Sequence, residues 1–191
     1  YQATNGYFDD SYPVFSRDGK HLFYLTNRNM DALYSGLGDG TWVYPNTTQI
    51  VALSLTKEAP SPMAPKNDEV PNGDKKPAKD SSKLTVRVDF DHLEARLTVL
   101  PPKPGNINAL MPLEGKLVYW RSPNSGSGET SASLWVYDLE KREEKLIISD
   151  VNSAVPTADG KSILVSSQGR YGIIKPEPGQ KIEKPIPTTG L

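Results

Sequence analysis

One short phrase occurs three times in this chain and constrains its fold more than any other feature. It reads SRDGKHLFYL at Ser16–Leu25, PLEGKLVYW at Pro112–Trp120 and TADGKSILVSS at Thr157–Ser167. Each time an acidic residue precedes Gly, Lys follows, and a run rich in apolar residues begins. The physical reading is a tight turn joining two antiparallel strands. Asp18, Glu114 and Asp159 take a turn position, and Gly19, Gly115 and Gly160 supply the positive φ that closes such a turn without a Cβ clash. The residues that follow are β-branched, aromatic or long aliphatic and suit a buried strand. Gly115 and Gly160 lie 45 residues apart, a repeat length typical of propeller blades. Gly19 and Gly115 lie 96 apart, which is two units or one unit with a long insertion.

The insertion is visible. Residues 57–83 contain five Pro, six Lys and five acidic residues and not one Leu, Ile, Phe, Tyr or Trp, so they cannot bury enough surface to fold alone. A second excursion, Asn27–Thr48, carries GLGDGTW and is expected at a rim. Further strands are expected at 48–55, with Ile50, Ala52 and Ser54 on one face, and at 83–90, with Leu84, Val86 and Val88 inward. Others are expected at 95–101, 133–140, 144–149, 170–176 and 180–187. No segment with a helical period extends beyond about two turns. DHLEARL reads as a turn into a strand rather than a helix. The expected class is all-β, a partial propeller of about three four-stranded antiparallel blades. Their expected divisions are about 1–90 (with the 57–83 insertion), about 91–149 and about 150–191.

Composition excludes several functions. There is no Cys, so there is neither a disulfide framework nor a thiolate metal site. Lys and Arg number 22 against 23 Asp and Glu, which gives no basic face for nucleic acid. No apolar run approaches the roughly 20 residues that cross a bilayer. Catalytic constellations are scarce. NSGSGETS (124–131) lacks the Gly-x-Ser-x-Gly spacing of a nucleophile elbow and reads as a loop. His21 alternates with Leu22 and Tyr24 and reads as a strand-face residue. His92, in a turn with Asp89, Asp91 and Glu94, has the makings of a metal site, but a solvated turn is the simpler reading. The acidic pairs Asp9–Asp10, Asp89/Asp91 and Glu143–Glu144 read as surface or turn residues rather than glycosidase carboxylates. GLGDG (36–40) lacks the Lys and Ser/Thr of a phosphate loop. Trp120 and Trp135 read as core packing, with Trp42 a further candidate for a stacking platform. The NTT at Asn46 fits a glycosylation sequon. No catalytic, cofactor-binding or metal residue is assigned, and no cofactor is expected.

YPVFSRDGKHLFYLTNRN (Tyr12–Asn29) resembles the strand-turn-strand signature of TolB-type propeller blades. TQIVALSLTKEAPSPMAPKNDE (Thr48–Glu69) and VDFDHLEARLTVLPPKPGNINAL (Val88–Leu110) resemble the propeller of bacterial tricorn-type serine peptidases. In that family an Asp-hydrophobic-Asp-Gly-Ile/Leu-x-x-Arg phrase precedes Val-x-x-Leu-Pro. Here Asp89, Phe90, Asp91, Leu93 and Arg96 stand in it, with Leu100–Pro101 following and His92 where the family often has Gly. The resemblance implies a non-catalytic propeller segment of an exported, periplasmic, multi-domain serine peptidase, serving substrate access and scaffolding. It implies unfolded peptide or protein as substrate, and the remaining blades and catalytic domains of the same chain as partners. The opening at Tyr1, without Met, reads as mid-domain, so a piece of a longer protein is expected. An open propeller fragment leaves sheet edges and faces bare, from which self-association is expected. Two rival readings remain open at this stage. One is a TolB-type module binding protein or glycan without peptidase activity. The other is a propeller capping a different hydrolase.

Overall fold

The computed structural model describes residues 1–34, 40–66 and 86–188. Among the described residues thirteen strands run in chain order. The first six are β1 (Asp10–Phe15), β2 (His21–Thr26), β3 (Leu33–Tyr34), β4 (Trp42–Val43), β5 (Gln49–Ser54) and β6 (Leu97–Val99). Then follow β7 (Asn106–Leu113), β8 (Lys116–Ser122), β9 (Ser133–Asp138) and β10 (Glu143–Ile148). The last are β11 (Val151–Pro156), β12 (Ile163–Ser167) and β13 (Arg170–Ile174). The one helical element among the described residues is a 3₁₀ turn, Leu93–Arg96.

The strands form three antiparallel sheets in series, ordered β1-β2-β5-β6, then β7-β8-β9-β10, then β11-β12-β13, with β3-β4 as a separate small hairpin. The sheets stack face to face through two apolar layers. Phe23, Leu25, Ile50 and Ala52 of the first sheet meet Leu117, Tyr119 and Tyr137 of the second. From the opposite face of the second sheet, Val118, Leu134 and Val136 meet Val151, Ile163, Val165 and Ile174 of the third. Side chains alternate across a strand, so the second sheet is buried on both faces. That is why KLVYW is a continuous apolar run rather than an alternating one. The same holds for β5. Ile50 and Ala52 face the second sheet, while Val51 and Leu53 join Tyr24 and Leu93 on the far face.

Sheets of this kind, strung along the chain and packed face to face with the first strand of each on one common side, are propeller blades. β1 and β7 lie against one another on that side. The fold is therefore all-β and propeller-like, and it departs from the sequence expectations in detail. The fourth strand of the first sheet is Leu97–Val99, beyond the division expected near residue 90. The strand expected at 83–90 does not form where the chain is described. Residues 86–90 cross the end of β5 instead, with the Asp89 N–H donating to Leu55 O (2.8 Å), because β6 already occupies the free edge of β5. Residues 83–85, like most of the insertion (67–83) and of GLGDG (36–39), lie outside the described residues.

The third sheet has three strands, and the strand expected at 180–187 is absent. Pro185 and Pro187 cannot donate to a ladder, and the segment keeps a single backbone bond to β13, from Ile186 N–H to Tyr171 O (2.8 Å). The described start of the insertion is docked rather than loose. Ser61 and Thr98 hydroxyls share a hydrogen bond of 2.9 Å, Lys66 Nζ donates to Glu140 O (2.5 Å), and Arg142 donates to Ala64 O. This strap ties the first sheet to the second.

Candidate functional site

The side on which the first strands converge is built from the repeated turns. In the first and third sheets the turns have the same hydrogen-bond network. The Ser16 hydroxyl donates to Asp18 Oδ1 (2.6 Å), which also accepts the Lys20 N–H (3.1 Å), while the His21 N–H donates to Ser16 Oγ (2.9 Å). The Thr157 hydroxyl donates to Asp159 Oδ1 (2.6 Å), which accepts the Lys161 N–H (3.0 Å), while the Ser162 N–H donates to Thr157 Oγ1 (3.1 Å). Gly19 and Gly160 adopt φ of 67° and 68°. In the second sheet Glu114 and Gly115 (φ 68°) make a two-residue turn between Leu113 and Lys116.

Arg17 joins these turns. Its Nε–H donates to Pro112 O (3.2 Å) beside the second turn, and its Nη1 donates to Ala158 O (3.5 Å) in the third. One guanidinium thus spans from the first sheet to the third. A Cβ on Gly160 would stand 3.2 Å from Arg17 Nη2, whereas a Cβ on Gly115 meets nothing within 4 Å. Both glycines carry the cost of a side chain at positive φ, about 1–2 kcal/mol, and only Gly160 also displaces Arg17. Gly160→Ala is therefore expected to lower unfolding free energy by about 1 kcal/mol more than Gly115→Ala, from the off-geometry packing it forces. Urea unfolding of the two variants checks this, and equal losses would mean that Arg17 is not held at the third turn.

The turn carboxylates are tuned by the same contacts. Burial pushes Asp18 upward, but the Ser16 hydroxyl, the Lys20 amide and the charges of His21 and Lys20 outweigh it, and the net shift is downward. At Asp159 the Thr157 hydroxyl and the Lys161 amide lower the carboxyl. A folded-state pKa below the unfolded value of about 3.9 gives stability that is present above that value and lost as pH falls through the folded one. The difference in urea midpoint between the natural chain and Asp18→Asn is expected to stay constant above about pH 5 and to shrink below about pH 4.

Above the turns, the surface of the converging strands is uncharged. Ser11, Tyr12, Pro13 and Phe15 of β1, Asn108 of β7, and Asn152, Ser153 and Val155 of β11 are exposed. Tyr12, Phe15 and Val155 are 53%, 51% and 59% exposed. Asp10, the one charged residue in these three strands, turns inside. Its side chain lies 3.8 Å from Arg28 Nη2, which is 3.9 Å from Glu94 and stands over the Phe8 ring. The acidic pair Asp9–Asp10, read from sequence as surface, is therefore split, with Asp9 exposed and Asp10 within. Tyr24 lies near this group, and burial raises its hydroxyl to about 12.

The pair Glu143–Glu144 is split in the same way, because neighbours on a strand face opposite sides. Glu143 is exposed and paired with Lys145 (2.7 Å). Glu144 is inside, accepting the Tyr119 hydroxyl (2.5 Å) and two N–H groups of Arg121, with Arg121 Nε at 2.8 Å. Burial, with Glu144 beside it, holds the Tyr119 hydroxyl far above its usual range. Sequence reasoning also missed the work of Arg96. Its guanidinium donates to the carbonyls of Ser54 (3.0 Å), Asp91 (2.8 Å), His92, Leu55 and Asp89. The only signal was its fixed place at the end of DFDHLEAR.

The other candidates fall apart in space. His21 bonds Pro60 O (3.0 Å) at the start of β2, and His92 is exposed beside Asp91 with φ of 49°, a conformation that suits Gly. Asp89 Oδ2 accepts the Lys57 N–H (3.0 Å), and Asp91 pairs with Lys57 Nζ (2.8 Å). Among the described residues no group of three or more His, Cys, Asp or Glu is placed to hold a metal ion. Residues 124–131 form part of the loop between β8 and β9, where the Ser125 N–H donates to Asn46 Oδ1 (2.8 Å). Trp120 and Trp135 pack against the two apolar layers, whereas Trp42 is exposed. No helix among the described residues is long and apolar enough to cross a membrane.

No family model matches the chain. The putative tricorn protease homolog 2 of Streptomyces coelicolor is 31% identical to it over 181 residues, which are 87% of this chain and 15% of that protein. Tricorn protease homolog 1 of the same organism is 25% identical over 188 residues, covering 91% of this chain and 17% of that protein. The chain thus spans about one sixth of the length of the curated relatives it matches. Among solved structures, the crystal structure of the tricorn protease superposes on 96% of the chain with a TM-score of 0.66 and 18% identity, covering 18% of that chain. In sequence this chain is similar to one stretch of the tricorn protease homologues, and in fold to one part of the tricorn protease.

Proposed function

We propose that the chain is a non-catalytic propeller segment of an exported tricorn-like serine peptidase, guiding unfolded polypeptide toward catalytic domains elsewhere in the protein and holding those domains in place. The observation that carries this reading is the uncharged run of exposed positions Ser11, Tyr12, Pro13, Asn108, Asn152 and Ser153 on the edge strands β1, β7 and β11 of three serial sheets. An extended chain of mixed sequence crosses such a run without meeting a fixed charge that selects or traps it. Similarity to the tricorn protease homologues supports this reading.

The test is to place a photo-crosslinking benzoylphenylalanine at Tyr12 and, separately, at Leu146 on the outer strand β10, and to add unfolded casein. Crosslinking at position 12 with casein left uncleaved is the expected result. Cleavage that persists through rigorous purification overturns the non-catalytic part. Crosslinking at position 146 alone overturns the guiding part.

The far face of the third sheet exposes Val155, Leu164 and Ile173 in one row across three strands. In the isolated chain a second copy is the proposed occupant of this face. Sedimentation is expected to show dimers that Leu164→Glu abolishes, and a strict monomer at high concentration contradicts this.

A further inference from the structure

The three converging strands share two features that the turns do not explain. Each has one more residue than its partner needs. Between Ser11 and Val14 of β1, between Asn108 and Leu110 of β7, and between Val151 and Ser153 of β11, the register with the second strand slips by one. All three slips lie level with the fourth residue of the second strand, or between its fourth and fifth, namely at Tyr24, at Tyr119/Trp120 and at Ser166/Ser167. The extra residues include Tyr12 (φ 51°) and Ala109 (φ 49°), which hold a left-handed conformation that disfavours any side chain. Each of these strands also contains a proline, Pro13, Pro112 or Pro156, and no other strand among the described residues contains one.

Bulges and prolines are devices that stop an edge strand from accepting another strand. All three converging strands are edges of their sheets. A bulge also occurs in β10, at the outer edge of the second sheet, but the combination with proline is confined to the converging side.

We propose that these inner edges are blunted so that an extended polypeptide touches them without being added to a sheet. An extended polypeptide is itself a strand in waiting. An open, uncharged, partly apolar edge would capture it by main-chain hydrogen bonds, and capture of that kind would block a path. Here the register slip turns the backbone groups of the edge out of line midway along each strand. The proline removes one donor from each. What remains for contact is side chains: Tyr12 for apolar groups, and Asn108 and Asn152 for passing amides. The occupant class is thus unfolded polypeptide held briefly and without regard to sequence. This inference rests on the substrate-access reading and adds to it how these edges avoid retaining what they contact.

The test uses the whole 191-residue chain and two labelled probe peptides of equal length. One is alternating threonine and valine with a lysine at each end, a strand former; the other is glycine and serine with the same ends. Fluorescence anisotropy reads affinity, and amide exchange reads protection at Phe15 and Ala154, whose N–H groups point away from the second strand. The natural chain is expected to bind the two peptides within about threefold of one another, with no gain in amide protection. The double variant Pro13→Thr/Pro156→Thr, and separately deletion of Asn152, are expected to bind the strand former at least about tenfold more tightly and to protect those amides. Circular dichroism confirms that each variant is folded.

Two outcomes overturn the proposal. One is protection of the β1 or β11 edge by the strand former in the natural chain, which is read without any variant. The other is a folded variant that gains no affinity. Failure of the access reading looks different: casein then does not crosslink at position 12, while the contrast between the natural and altered edges persists.

Discussion

Replacing Arg96 with Ala is expected to lower the unfolding free energy by about 3 kcal/mol. Arg96 donates to five backbone carbonyls on two segments, the end of β5 and the loop Asp89–His92. Removing it leaves several carbonyls without a donor, and a buried group so stranded costs about 1–3 kcal/mol. For a chain of this size, 3 kcal/mol corresponds to a drop of about 6–12 °C in Tm. Arg96→Lys is expected to recover less than half, because an ammonium has three donors and no planar fork. Thermal unfolding of both variants checks this. The same loss in Arg96→Ala and Arg96→Met, with full recovery in Arg96→Lys, would mean that charge rather than geometry is what the loop requires.

The second large effect concerns the pair within the second sheet. Arg121 and Glu144 have side chains 15% and 20% exposed, and Glu144 also accepts the Tyr119 hydroxyl. Arg121→Ala leaves a largely buried carboxylate without its cation and is expected to cost about 3 kcal/mol. It also removes the guanidinium from between the Tyr119 and Trp135 rings, each 5.6 Å away, and its bond to Lys103 O (2.8 Å). The double variant Arg121→Met/Glu144→Leu is expected to recover most of this loss. A well-packed apolar pair often equals the ion pair it replaces. Denaturant unfolding of Arg121→Met, Glu144→Leu and the double variant measures the coupling. A double variant less stable than either single one would show that packing around these side chains, not the unpaired charge, dominates.

The contrast between these two sites and the turns shows what the residues reveal by themselves. Asp18–Gly19, Glu114–Gly115 and Asp159–Gly160 are legible because a turn is a local contract: one residue must have positive φ, and its neighbours supply the capping groups. The second strands of the first two blades are legible for a related reason, since a strand buried on both faces must be apolar throughout. The blade spacing follows from the turns.

The inner strands are less legible. Whether Tyr12, Ala109 or Asn152 is an extra residue depends on the strand opposite, and no local pattern marks it. The strands expected at 83–90 and 180–187 have acceptable composition. One lost its place to β6 and the other has two prolines where donors were needed. Arg17, Arg96 and Arg121 act across 141, 42 and 23 residues of sequence. Their importance lies in the carbonyls and carboxylates that folding brings to them. Glu143 and Glu144 are indistinguishable as letters and are separated only by the side of the strand on which each falls.

The most direct test of the central claim is a map of backbone amide chemical shifts in the labelled chain as an unfolded polypeptide, reduced and alkylated casein, is added. A polypeptide path along the converging strands predicts perturbations at Ser11, Tyr12, Asn108, Asn152 and Ser153, and none on the outer strand at Lys145 and Leu146. Perturbations confined to β10, to β13 or to residues 179–184, with the inner strands silent, would contradict it.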